Sequence, residues 1–265
     1  MSTLGKQVRL NRIFSHPSRR VLTVAVDHLI NYPDGLPKGL DTITVTTPKV
    51  LEGRPSAITL NKGAAMRCMG RHAGRVPLII QSIALKPDEA VFADHASVEE
   101  CLALGADAIA VAIFVKGPAE LGFLRHLGQV VRDGERHGLP VIPHIYPLSS
   151  GDERHTVTHN PDDIRYAVRL GLELGADVIK VPYTGDVASY RDIVNDTPVP
   201  LVAAGGPKAE TLDDAVRMMR EIAHSGAAGA TVGRNVWSFP DIPAAIAKLK
   251  EAMQEAPPSQ RPVTA

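Results

Sequence analysis

Residues 173–184 read ELGADVIKVPYT, and residues 103–114 read ALGADAIAVAIF. In both, an apolar-periodic segment meets a glycine, Gly175 or Gly105, and a short run rich in branched residues follows. Glycine stops a helix because it takes the left-handed conformation without steric cost, and a Val/Ile run of this length suits a strand buried on both faces. The unit is therefore helix end, tight turn, buried strand. Where the first copy has Ala110, the second has Lys180.

The same kind of run recurs on either side of these copies. Strands are expected near 21–26 (VLTVAV), 57–60 (AITL), 77–81 (PLIIQ), 107–113 (DAIAVAI), 140–145 (PVIPHI), 177–182 (DVIKVP), 200–204 (PLVAA) and 229–232 (GATV). Helical periodicity fills the gaps. In NPDDIRYAVRLGLELG (160–175), Ile164, Ala167 and Val168 begin an apolar stripe, Asn160 is the N-cap, Pro161 takes the first helical position and Gly175 ends the helix. Eight such units predict an α/β fold of one kind, a single (β/α)₈ TIM barrel over residues 1–254, because closure removes the edges that parallel strands otherwise leave. A length of 265 residues matches the roughly 250 that such a barrel uses. An open doubly wound sheet would carry G-x-G-x-x-G after its first strand, and this chain reads AVDHLINYPDG there. The tail EAPPSQRPVTA (255–265), rich in Pro, Ser and Gln, is expected to be disordered.

Charge narrows the function. With 29 basic and 29 acidic side chains the chain has no electrostatic reason to bind nucleic acid or an anionic membrane, which leaves a small molecule as the expected partner. No run of about 18 apolar residues and no signal-peptide core is present, so a membrane-spanning or secreted protein is not expected. Cys68 and Cys101 are far apart and outside any C-x-x-C spacing, which suits free thiols in a reducing, cytoplasmic setting. The first twenty residues hold five basic residues and no acid, and read as a basic lead-in to the first strand. Their few serines argue against a transit peptide.

Strand parity gives the lysine a direction. Val178, Lys180 and Pro182 share one face, and Ile179 and Val181 share the other. The branched pair suits the helix layer, so Lys180 points into the barrel. It is expected near the C-terminal mouth, where barrel enzymes keep their sites. Burial of an unpaired ammonium is expensive and favours the neutral amine, which attacks a carbonyl carbon to form a Schiff base. Asp27 and His28 end the first strand, and Tyr146 ends the fifth, the neighbour of the strand that holds Lys180. A carboxylate and a phenol beside an imine are what aldol chemistry needs, one to move a hydroxyl proton and one to protonate the enamine. Which does which is open at this level.

The last two strands end in AAGGPK, with Gly205 and Gly206, and ATVGRN, with Gly233 and Arg234. Glycine turns after strands 7 and 8 of a barrel let backbone N–H groups close on a phosphate, and Arg234 adds a charged fork. His28 and Lys62, just past strand 2, are further substrate-binding candidates at the mouth. Ser149, Ser150 and Asp152 are weaker ones. His144, His155 and His159 lack the H-E-x-x-H spacing, so neither a metal site nor any other cofactor is expected.

These motifs together resemble the class I aldolases of the archaeal-type fructose-bisphosphate aldolase family, the DeoC/LacD-like barrels. The likeness runs through GKQVRLNRIF, VAVDH, LNKG, YP, RLGLELGADVIKVPYTGD, AAGGPK and GATVGRNVW. It implies that Lys180 forms the Schiff base, that Asp27 and Tyr146 move protons, and that the GG and GR turns hold a phosphate. It also implies metal-independent cleavage or formation of a phosphorylated ketose, with dihydroxyacetone phosphate as a frequent fragment, in a homo-oligomer. Where many members read Tyr-Pro-Arg-Gly this chain reads YPLSSGDE, and where many read Asp-His-Gly it reads DHL. The first change removes a basic residue, so a sugar phosphate with an uncharged or differently charged far end suits the loop. The resemblance also admits thiolase-like acyl transfer from a phosphorylated diketone, or a transaldol-type synthase. A non-catalytic sugar-phosphate binder fits less well, since a pure binder has no need of a buried amine.

Overall fold

The computed structural model describes residues 3–29, 35–84, 93–149 and 156–255. The tail from residue 256 onward, Ser150, Asp152 and His155 lie outside the described residues.

All eight expected strands are present: β1 (Val21–Ala25), β2 (Ala57–Asn61), β3 (Leu78–Gln81), β4 (Ala108–Val115), β5 (Val141–Pro147), β6 (Ile179–Pro182), β7 (Leu201–Ala204) and β8 (Gly229–Val232). They pair in parallel and close into a barrel in which β1 bonds to both β2 and β8. A short antiparallel pair, Ile83–Ala84 with Ala93–Asp94, follows β3. The helices are α1 (Leu4–Ile13), α2 (Ile43–Glu52), α3 (Lys62–Cys68), α4 (Val98–Ala103), α5 (Glu120–His137), α6 (Pro161–Glu173), α7 (Val187–Asn195), α8 (Leu212–His224), α9 (Arg234–Trp237) and α10 (Ile242–Gln254). In α6 the Asn160 side chain accepts from the Asp162 N–H at 2.9 Å, Pro161 opens the helix, and Gly175 lies just beyond its end at φ 87°. Among the described residues, no helix is long and apolar enough to cross a membrane.

Strand parity divides the core in two. Ile179 and Val181 join the outer layer with Ile164, Ala167 and Val168 of α6. Val178 joins the barrel interior with Ala110, Ile142 and Val202. Cys68 and Cys101 are buried free thiols, and burial pushes the Cys101 thiol up to about 12.

The basic N-terminal stretch forms α1, where the sequence suggested only a lead-in. Leu10, Ile13 and Phe14 pack into the interior cluster and plug the end of the barrel away from the site. The two GAD aspartates fix this plug. Asp107 accepts from the Leu78 N–H at 3.1 Å and pairs with Arg12, while Asp177 accepts from the Val141 N–H at 2.8 Å and pairs with Lys6 at 2.9 Å. Each aspartate thus caps the start of the preceding barrel strand and holds α1. Lys6 is only 2% exposed and also reaches Glu135 at 2.8 Å. Removing one partner of a buried pair strands the other charge. Lys6→Met is therefore expected to lower unfolding stability by about 3 kcal/mol, read from a urea midpoint, because Asp177 loses its cation.

Candidate active site

Lys180 stands on the floor of a cavity of about 350 Å³ at the C-terminal end of the barrel. It is 5% exposed, and its register partners are His144 on β5 and Val202 on β7. Val178 and Ala110 belong to the apolar interior of the barrel, and Tyr146 and Pro182 line the cavity with the lysine. Nζ sits 3.4 Å from His144 Nδ1 and 5.9 Å from the centre of the Tyr146 ring. An ammonium at that distance from an aromatic face is attracted to it.

Asp27 reaches the same floor from the turn after β1 and is 7% exposed. One of its oxygens accepts from Gln81 Nε2 at 3.2 Å, and the other lies 3.8 Å from His28 Nδ1. His28 packs edge-on against Trp237, with ring centres 5.4 Å apart, and Trp237 itself donates to the Ala25 carbonyl at 3.1 Å. Burial lowers the His28 pKa first of all; Asp27 opposes this, and Lys180 and Arg234 add to it. Burial likewise holds His144 well below the usual imidazole range, helped by Lys180 and His28. Both rings are accordingly neutral at neutral pH.

The turns after β7 and β8 form one unit. Arg234 donates to the Gly206 carbonyl at 3.2 Å. Asn235, 1% exposed, donates to the carbonyls of Gly205 and Pro207 at 2.8 and 2.9 Å and accepts from the Ala209 N–H at 2.7 Å. One expectation is corrected here. The Gly205 N–H donates to the Thr231 carbonyl at 2.8 Å, so it is committed to the barrel and does not point at a ligand. Gly205 provides close approach instead, since a Cβ there would lie 2.9 Å from Val232 Cγ1. Gly233 makes room for His28, whose Cε1 would lie 2.5 Å from an added Cβ. Gly206 takes φ 64° and lines the cavity with Arg234.

Lys62 is a second correction. It opens α3 and pairs with Glu100 at 2.5 Å, and it does not line the cavity. Glu100 is the acidic half of the Ser97 capping box on α4, so this lysine ties two helices together outside the barrel. Among the weaker candidates, Ser149 bonds to Thr156 through both backbone and side chain. That pairing folds the chain back so that Val157 and His159 cover the cavity. His159 Nδ1 donates to the Tyr183 carbonyl at 2.7 Å. Gln81 carried no motif, Asn235 lay in the GATVGRNVW stretch without being singled out, and His144 and His159 were weighed only as metal ligands. The signal for His144 lay in parity, since it is two residues before Tyr146 and so shares its inward face.

Comparison with known proteins agrees with this geometry. Residues 21–239 match the model of the DeoC/LacD family aldolases. The chain is 34% identical over 248 residues to 2-amino-3,7-dideoxy-D-threo-hept-6-ulosonate synthase 1 of Archaeoglobus fulgidus, covering 92% of this chain and 89% of that protein. It is 35% identical over 172 residues to the class 1 fructose-bisphosphate aldolase of Thermoproteus tenax, covering 63% of this chain and 64% of the aldolase. Among solved structures it resembles an archaeal fructose-1,6-bisphosphate aldolase whose catalytic lysine is covalently bound to the carbinolamine intermediate of its substrate. There the TM-score is 0.82 at 26% identity, over 94% of this chain and 99% of that one. The family match spans all eight strands of the barrel, so the chain belongs to the DeoC/LacD family of aldolases.

Proposed function

We propose that the protein is a metal-independent class I aldolase acting on a ketose or ketone that carries one phosphate, with Lys180 as its Schiff-base nucleophile. The observation that carries this reading is a buried lysine amine facing Asp27 and Tyr146 in one cavity, whose upper wall ends in Arg234. In the proposed cycle Nζ attacks the ketone carbon and the carbonyl oxygen leaves as water. The iminium then draws electrons from the bond between the α and β carbons. As that bond breaks, one of Asp27 and Tyr146 takes the β-hydroxyl proton, the other protonates the enamine, and water then hydrolyses the resulting iminium, which releases the ketone and restores the Lys180 amine.

Two features support a single phosphate. Among the described residues lining the cavity, Arg234 is the one guanidinium, and the one lysine is Lys180, the proposed nucleophile. Leu148, at the position where the resemblance anticipates a basic residue, is 1% exposed and packs against Gly117. Phe114, Val157 and His159 line the cavity, and Leu148 does not. Mono- and bisphosphorylated ketoses, tested with product analysis by mass spectrometry, decide the point. Turnover is expected on a monophosphate; turnover confined to the bisphosphate contradicts the reading.

Arg234→Met tests the phosphate end. A hydrogen bond to a charged group contributes about 1.5–3 kcal/mol, so KM for the phosphorylated substrate is expected to rise about 10- to 100-fold with a smaller change in kcat. An unchanged KM removes Arg234 from the site.

A second reading has its own support. A transaldol-type synthase would hand the lysine-bound fragment to a second carbonyl compound rather than to a proton. Similarity to the Archaeoglobus fulgidus synthase covers 92% of this chain, against 63% for the Thermoproteus tenax aldolase. Product analysis with and without an added acceptor aldehyde separates the two.

A further inference from the structure

We infer that His144, held in place by Gln81, is the hydrogen-bond acceptor for the Schiff-base nitrogen of Lys180 and so favours the charged iminium over the neutral imine. This rests on the Schiff-base reading above.

The hydrogen-bond inventory of Gln81 fixes the orientation of the pair. Its Oε1 accepts from the Ala112 N–H at 3.1 Å, so its amide nitrogen faces the other way. That nitrogen has two hydrogens and two partners, Asp27 Oδ2 at 3.2 Å and His144 Nδ1 at 3.4 Å. An amide nitrogen only donates, so His144 Nδ1 carries a lone pair and the ring proton is on Nε2. Lys180 Nζ shares that same Nδ1 at 3.4 Å. Gln81 is 1% exposed and His144 3% exposed, so neither arrangement competes with bulk water. Nucleophile and carboxylate are thus joined in one run, from Lys180 through His144 and Gln81 to Asp27.

This placement matters once a covalent bond forms. The ammonium and a ketone give an iminium and one water with no net change in protons. The iminium nitrogen keeps a single N–H where the amine had several. His144 is the direct register partner of Lys180 across the β5–β6 ladder, so its Nδ1 stays beside that nitrogen when the rest of the side chain turns toward the ligand. An acceptor bonded to the charged form favours that form, and it is the charged form that withdraws electrons from the breaking bond. The other charged or titratable groups lining the cavity with the ring are Lys180 itself, Asp27 and His28 after β1, Tyr146 on its own strand, His159 before α6 and Arg234 after β8. His144 and Gln81 are positioning residues in this scheme, because they act through Lys180 and Asp27.

The test is borohydride trapping with dihydroxyacetone phosphate as the probe, followed across pH. In His144→Leu the trapping rate is expected to fall at least about tenfold, and the alkaline decline of the profile to move to lower pH, because the iminium loses its acceptor. His144→Asn places an amide oxygen close to the position of Nδ1 and is expected to restore both. Gln81→Met is expected to shift the profile in the same direction as His144→Leu by a smaller amount. If the unsubstituted protein is trapped and His144→Leu gives the same rate and the same alkaline limb, the role given to His144 is wrong and the Schiff-base reading stands. If the unsubstituted protein is not trapped at all, the Schiff-base reading itself fails. Nitrogen-15 NMR of the histidine rings in the unsubstituted protein provides a check that needs no variant to fold. An unprotonated Nδ1 on His144 is expected, and a protonated one overturns the assignment.

Discussion

Lys180→Met abolishes turnover, to at least about 10³-fold below the unsubstituted protein, while the barrel stays folded. The first half of this expectation follows from the place of the amine. Lys180 is the lysine that lines the cavity among the described residues, and Lys62, the other candidate, is engaged with Glu100 outside it. The second half follows from the two copies of the strand. In the repeated stretch Ala110 stands where the second copy has Lys180; in the barrel it is fully buried and pairs with Ile142, while Ala112 pairs with His144, the register partner of Lys180. Small apolar side chains are therefore compatible with this part of the barrel, and the hydrogen-bond partner of Lys180 is His144 rather than a carboxylate, so, unlike Lys6→Met, its replacement strands no paired charge. Circular dichroism and the melting temperature check the fold, and product formation checks the loss. Retained turnover in a folded Lys180→Met protein contradicts the role of the lysine.

Asp27→Asn separates proton transfer from imine formation. The carboxylate is 7% exposed and is held by Gln81, so an amide of the same shape fits the same space without a base. Positioned proton transfer contributes about 10²- to 10⁴-fold, and kcat is expected to fall by that amount. The variant should still form an adduct with a ketone phosphate under borohydride, because Lys180 and His144 are intact. A kcat within about threefold of the unsubstituted protein would show that Asp27 takes no part in proton transfer.

The barrel was legible because its strands are buried on both faces and therefore read as short continuous apolar runs, each closed by Gly, Pro or Asp. Parity along 178–182 was enough to turn Lys180 inward and to put Ile179 and Val181 against the helices. The neighbours of the lysine were not legible, because they depend on register, and register is set by pairing between strands: His144 with Lys180, and Lys180 with Val202. The same limit hid Gln81. Its three partners, Asp27, Ala112 and His144, come from three other elements, and nothing adjacent in sequence marks them. Lys62 was misplaced at the mouth because an ion pair with Glu100, 38 residues on, has no local signature. The two GAD aspartates open the expected strands 107–113 and 177–182, and nothing in the sequence shows that they cap neighbouring strands and hold α1 through Lys6 and Arg12. Their role requires knowing that α1 crosses the base of the barrel, and its basic residues alone do not say so.

The central claim is that Lys180 forms a covalent bond with a ketone carbon. The most direct measurement is reduction with borohydride in the presence of dihydroxyacetone phosphate or a ketose monophosphate, followed by digestion and mass spectrometry of the peptides. The mass of the reduced ketone fragment is expected on the peptide that contains Lys180 and on no other. Turnover of the same substrate with no adduct at Lys180, or with the adduct on another lysine, contradicts the claim.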